Sequence, residues 1–220
     1  MDGIDYKKLY KLQDKVLDIV FETEKIFYLT GGTCLSRFYI EKRYSDDLDL
    51  FANSEPRFNL AVKNVKTALL KHFGVNTEVD GKDFIRLKIN DLLQVDLVND
   101  RVFYFGKPIF QENGLIIDNI ENILSNKITA VISRDNPKDI FDIYLISKYY
   151  SFKWENILEA AHKKAGFENS DLIIRLKSFP IHLLNEIILA DEEFLKNFSM
   201  DFPQIIEEIK DKKDHIIPKT

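Results

Sequence analysis

Two adjacent glycines, Gly31-Gly32, restrict this 220-residue chain more than any other feature of it. They break an apolar run, Ile26 to Leu29, from an amphipathic stretch that carries Leu35, Phe38 and Tyr39 on one face. A second apolar run follows as Asp47-Leu48-Asp49-Leu50-Phe51. Helix and strand periods predict strand, glycine turn, short helix and strand over residues 26–51.

The candidate chemistry lies at both ends of that unit. Side chains alternate along a strand, so Asp47 and Asp49 share one face while Leu48 and Leu50 turn to the core. Two carboxylates so placed repel unless a cation lies between them, and hard oxygen ligands favour Mg²⁺. Glycines let the backbone approach a ligand closely, and the N–H groups that open the next helix suit a phosphate. A phosphate cradle beside a pair of metal-binding carboxylates implies nucleotide chemistry.

In order, this pattern resembles the nucleotidyltransferase superfamily, whose mark is Gly-Gly or Gly-Ser, a helix and then Asp-x-Asp. The closer resemblance is to the AbiEii-type family, toxins of abortive-infection toxin–antitoxin pairs, on GGTCL followed by RYSDDLDLF and, further on, Lys127, Arg134 and Pro137-Lys138-Asp139-Ile140-Phe141-Asp142. Where that family writes Arg-Asp-x-x-Asp, this chain has Lys138 before Asp139. The resemblance implies an α+β fold, a nucleotidyltransferase-like mixed sheet flanked by helices and followed by a helical C-terminal region. It also implies Mg²⁺ or Mn²⁺ on Asp47, Asp49 and a third carboxylate, a nucleoside triphosphate substrate, and a cognate antitoxin. Some such toxins transfer nucleotides to the 3′ end of tRNA, so a tRNA or other RNA acceptor is expected. Transfer to a small molecule or a protein, and a non-catalytic nucleotide-binding module, are the competing readings.

The third carboxylate is expected at Asp96. Asp80-Gly81 and Asn90-Asp91 are turn signals around Phe84–Ile89 and Leu92–Val98, which predict a hairpin. Leu93, Val95 and Leu97 then alternate away from Gln94, Asp96 and Val98. Before these strands, residues 4–22 read as a helix through Leu9, Leu12, Val16 and Ile19, with Lys7, Lys11 and Lys15 on its solvated side. Ser54-Glu55-Pro56 reads as the start of another helix, running through Phe58, Val62, Val65, Leu69 and Phe73 to Gly74.

Residues 102–117 are turn-rich, and from Asp118 the pattern is helical, which places a boundary near residue 117 between domains 1–117 and 118–220. Asp118 to Glu121 has capping-box spacing. Within the helix it opens, Lys127 falls in the buried stripe of Ile120, Leu124 and Val131, so it either snorkels or meets an anion. Asn136 and Pro137 mark a further helix start, Asp139 suits its first turn, and Asp142 lies on the same face. Catalytic roles are expected for Asp47, Asp49, Asp96, Lys127 and Asp142. Nucleotide contacts are expected from Gly31, Gly32, Thr33, Arg43, Ser45, Lys127 and Asp139. Later helices are expected near 153–165, 170–178, 180–190 and 203–213, with Lys210 to Thr220 fraying.

Composition narrows the class. With 45% hydrophobic and 30% charged residues the chain reads as an ordinary globular protein. No apolar run has the length of a membrane span, Met1-Asp2 does not open a signal peptide, and a lone cysteine, Cys34, suits a reducing cytoplasm. The four histidines lack ligand spacing, and a net charge of −5 argues against indiscriminate nucleic-acid binding.

Overall fold

Alternation of apolar and polar residues builds the sheet. In the computed structural model, which describes residues 4–217, β1 (Tyr28–Thr30) leads into α2 (Gly31–Phe38) and then β2 (Asp47–Asn53). Leu48, Leu50 and Ala52 of β2 are fully buried, and the intervening Asp47, Asp49 and Phe51 stay half-exposed. The hairpin strands repeat the pattern: Ile85, Leu87 and Ile89 of β4 (Phe84–Ile89) and Leu93, Val95 and Leu97 of β5 (Leu93–Asp100) are buried. Between them Asn90 and Asp91 take positive φ, 50° and 54°, the left-handed conformation that a tight hairpin turn requires.

Contact density divides the chain into two units. The first comprises residues 1–39, 45–102 and 107–118, and the second residues 40–44, 103–106 and 119–220. In the first unit, β3 (Val75–Asp80), β6 (Ile109–Phe110) and β7 (Ile116–Ile117) complete a seven-stranded mixed sheet of order β3-β4-β5-β2-β1-β7-β6. The β2/β5 and β1/β7 pairs are parallel and the rest antiparallel. Helix α1 (Tyr6–Thr23) packs on α3 (Phe58–Leu69) and β5 through Leu9, Val16, Leu17 and Val20, leaving Lys7, Lys11 and Lys15 exposed. Helix α3 starts two residues after Pro56, because Ser54 adopts φ 50° and Arg57 takes the cap position.

The second unit is a helical assembly of α4 (Ile120–Ser133), α5 (Pro137–Tyr149), α6 (Trp154–Lys164), α7 (Asn169–Ser178) and α8 (Phe198–Asp211). Helix α4 packs on α5, α6 and α7, and α8 on α5, α6 and α7. Three expectations are corrected here. The cap of α4 is Asn119, whose side chain accepts from Asn122 N at 2.9 Å, because Asp118 is drawn wholly into the first unit by Thr30. The helix expected at 180–190 shrinks to a 3₁₀ turn, Ile181–Glu186, since Ile188 and Ala190 instead pair their backbones with Tyr44 and Lys42. Helix α8 begins at Phe198 rather than 203, with Phe198 and Phe202 stacked at 4.6 Å, and Pro203 lies inside it.

The tail expected to fray ends α8 at Asp211 and then pairs β9 (Asp214–His215) with β8 (Phe152–Lys153). Residues 1–3, where a signal peptide was discounted, and 218–220 of that tail lie outside the described residues. Among the described residues no helix is long and apolar enough to cross a membrane.

Asn119 also donates to Phe105 O at 2.8 Å, so it both caps α4 and ties down residues 103–106. Replacing it with alanine is expected to cost about 1–2 kcal/mol in urea unfolding, the upper part of the range for a lost cap.

Candidate functional site

The glycine turn is held from beneath by Asp118. Its carboxylate accepts from Thr30 Oγ1 at 2.5 Å, its backbone N–H donates to Leu29 O at 2.8 Å, and its carbonyl accepts from Tyr39 Oη at 2.6 Å. One buried residue thus grips the end of β1 and the far end of α2. The same burial, with Asp118 adding to it, pushes the Cys34 thiol well up, which leaves that cysteine a packing residue rather than a nucleophile.

Gly31 sits at φ +69°, and a β-carbon there would strike the carboxylate of Asp49. Only glycine meets both conditions. Thr33 turns its hydroxyl the other way from the role expected of it: Oγ1 donates to Asp47 O at 2.5 Å, locking α2 onto β2.

Across the open face of the sheet, register sets the charges in rows. Asp49 pairs with Asp96 across β2/β5, and Asp96 with Arg86 across β5/β4. The next row holds Asp47, Gln94 and Lys88. Asp96 therefore reaches the neighbourhood that sequence reasoning expects, but its carboxylate is taken. Arg86 Nε donates to Oδ1 at 2.8 Å and Nη2 to Oδ2 at 2.7 Å, with Gln94 Nε2 adding a contact at 3.3 Å. This bidentate pair raises the Arg86 pKa above its ordinary value, first through the hydrogen bond to Asp96.

Among the described residues no three His, Cys, Asp or Glu side chains gather closely enough to cage a metal ion. Asp47 and Asp49 are two hard oxygen donors on one half-buried strand face, with the Asp49 carboxylate seated over Gly31. That set fits Mg²⁺ or Mn²⁺, which commonly take one or two carboxylates and complete their shell with water and substrate phosphate.

In the second unit, Arg43, Lys127, Asp139, Asp142 and Arg134 form one ion-pair network. Arg43 grips Asp142 with two bonds of 2.8 Å, Lys127 Nζ lies 2.7 Å from Asp142 and 2.9 Å from Asp139, and Arg134 holds Asp139 at 2.7 Å. Burial pushes the Asp142 carboxyl up, but Arg43 and then Lys127 more than offset it and hold it below the ordinary value. Asp139 is likewise lowered, burial being outweighed by Lys127 and Arg134. Burial lowers the Lys127 ammonium pKa, yet Asp142 and Asp139 reverse that and leave it raised. Arg43, expected to contact nucleotide, is thus buried and engaged. Ser45 is buried as well, its N–H donating to Tyr10 Oη at 3.2 Å and its carbonyl accepting from Gln13.

Sequence reasoning missed Arg86 and Asp118. Arg86 alternates with Ile85 and Leu87, and counting outward from Asn90-Asp91 sets it opposite Asp96. Asp118 gave no such signal, because its partners Thr30 and Tyr39 are far off in sequence.

A family model described as "Nucleotidyl transferase AbiEii toxin, Type IV TA system" matches residues 17–215. Among solved structures, JHP933 from Helicobacter pylori is 21% identical, with a TM-score of 0.57 and 95% of each chain covered. MenT4, the nucleotidyltransferase toxin Rv2826c from Mycobacterium tuberculosis, is 12% identical with a TM-score of 0.55, covering 94% of this chain and 92% of its own. The antibiotic-resistance factor ANT(2″)-Ia is 15% identical with a TM-score of 0.53, covering 72% of this chain and 91% of its own.

Gly31→Ala is expected to cost about 1–2 kcal/mol from the positive φ alone, read by urea unfolding. Asp142→Asn is expected to lose about 3–5 kcal/mol at neutral pH, as breaking a buried pair does. Asp142 has its pKa lowered on folding, so its stabilisation is complete above the ordinary carboxylate value and is lost as pH falls below it towards the folded-state value. The stability gap between parent and variant should therefore close on the acid side, and a gap that widened there would contradict the assignment.

Proposed function

The chain belongs to the AbiEii family of nucleotidyltransferase toxins from type IV toxin–antitoxin systems, and on that premise we propose that it transfers a nucleoside monophosphate from a nucleoside triphosphate to an RNA, with the 3′ end of a tRNA as acceptor. The observation that supports the metal-dependent part is the pairing of Asp47 and Asp49 on one strand face, with Asp49 seated against a glycine whose positive φ and close approach disfavour any side chain.

Asp47 and Asp49 would hold a divalent cation, Mg²⁺ or Mn²⁺, which would supply positive charge to offset that building on the departing pyrophosphate. The N–H groups of Gly31, Gly32 and Thr33 at the head of α2 are assigned to the phosphates, where the helix end favours negative charge. The acceptor hydroxyl forms its bond to the α-phosphorus as the bond to the bridging oxygen of the β-phosphate breaks. Pyrophosphate leaves, and the hydroxyl proton passes to solvent. Asp96, with both oxygens held by Arg86, serves as the anchor of that guanidinium rather than as a free ligand or base.

Lys127 keeps the role of phosphate-neutralising cation, with Asp139 and Asp142 as its positioning residues. The support is geometric: Asp139 and Asp142 hold the Lys127 ammonium at 2.9 and 2.7 Å, so it is charged and fixed in position. A fixed ammonium costs no reorganisation when charge develops. The toxin's antitoxin partner is proposed on the family alone.

The test is incubation with total cellular RNA, Mg²⁺ and each α-labelled nucleoside triphosphate in turn. Label is expected on RNA for at least one nucleotide. Asp47→Ala or Asp49→Ala should lower the rate at least about 100-fold, as removing a metal that stabilises the transition state by several kcal/mol implies, and EDTA should abolish it. Label on small-molecule or protein acceptors but not on RNA would move the proposal to those substrates. No transfer to any acceptor, with Asp47→Ala identical to the parent, would defeat it.

A further inference from the structure

Arg86 occupies a particular place on the open sheet face. Its strand β4 borders β5, β5 borders β2, and the register sets Arg86, Asp96 and Asp49 side by side across the three. The guanidinium meets the Asp96 carboxylate fork to fork, one nitrogen to each oxygen. The side chain of Asp96 is 9% exposed while that of Arg86 is 33% exposed, so the carboxylate is shut in and the guanidinium faces outward. On the neighbouring row Lys88 lies opposite Gln94, which lies opposite Asp47. The residue beside Asp47 on β5 is thus an uncharged amide, and the residue beside Asp49 is a carboxylate already neutralised.

A second divalent ion bridging Asp49 and Asp96 would have to displace a bidentate guanidinium, among the stronger charge-assisted contacts available to a carboxylate. It would also have to sit next to the charge it displaced. Arginine, unlike a metal, keeps its charge at every relevant pH and its planar fork holds its geometry. The third of the Arg86 side chain that is exposed leaves the guanidinium within reach of a phosphate oxygen.

We propose that this chain holds a single divalent ion, on Asp47 and Asp49, and that Arg86, by occupying both oxygens of Asp96, closes that carboxylate to a second ion and supplies positive charge from the protein itself. The inference rests on the nucleotidyl-transfer reading for its metal and deepens it by fixing the number of ions and naming the residue that replaces the other. It makes Arg86 a substrate-binding residue toward the triphosphate.

The test counts metal rather than product. The full chain is equilibrated with Mn²⁺ and α,β-methylene-ATP, then with the corresponding analogues of GTP, CTP and UTP. Bound Mn²⁺ is measured by equilibrium dialysis and its environment by electron paramagnetic resonance. The parent should bind one Mn²⁺ per chain with the spectrum of an isolated ion. Arg86→Met, which frees Asp96, should bind two and give the spectrum of a spin-coupled pair, since paired sites lie about 3.5–4 Å apart. Arg86→Met combined with Asp96→Asn should return to one. A coupled pair in the parent, or a single isolated ion in Arg86→Met with its circular dichroism unchanged, would overturn the inference and leave the metal-dependent reading standing. No bound Mn²⁺ in the parent would overturn both.

Discussion

Two like charges set two residues apart on one strand organise the first unit. Asp47 and Asp49 must share the open face of β2, because the alternation that buries Leu48 and Leu50 leaves them nowhere else to point. Such a pair is uncomfortable alone, and its surroundings answer to it. Gly31 gives up its side chain so that Asp49 has room. Asp118 clamps the turn on which Gly31 sits. Arg86 neutralises the one further carboxylate in the same row, so the repulsion is not compounded by a third charge.

The second unit solves a related problem by different means. There the carboxylates are fully buried, and burial of a charge costs several kcal/mol unless it is paired and hydrogen-bonded. Asp139 and Asp142 are each met by two cations, with Lys127 common to both. The pKa directions follow: desolvation raises each carboxyl, and the surrounding cations more than reverse it. A network so arranged fixes the Lys127 ammonium in place.

The strand–turn–helix–strand unit was legible in the sequence because period-2 alternation and paired glycines act locally, within residues 26–53. The hairpin was legible for the same reason, down to its turn residues. The partner of Asp96 was not, since placing Arg86 required counting register across the hairpin rather than reading each strand's faces alone. Asp118 was misread as a helix cap: its sequence neighbours suggest one, whereas its real partners, Thr30 and Tyr39, lie about eighty residues away. The segment at 187–190 has helical composition, yet its backbone groups pair with residues 42–44, a contact that no local window can reveal. The burial of Arg43 follows from long-range ion pairing with Asp142, whereas that of Lys127 was legible from its place in the apolar stripe of its helix.

The central claim, that Asp47 and Asp49 together hold the divalent ion, is tested most directly by anomalous diffraction from crystals grown with Mn²⁺ and an unreactive nucleoside triphosphate analogue. A single manganese peak within coordination distance of both carboxylates is expected. A peak on Asp96 with Arg86 swung aside, or triphosphate bound with no manganese near either Asp47 or Asp49, would contradict it.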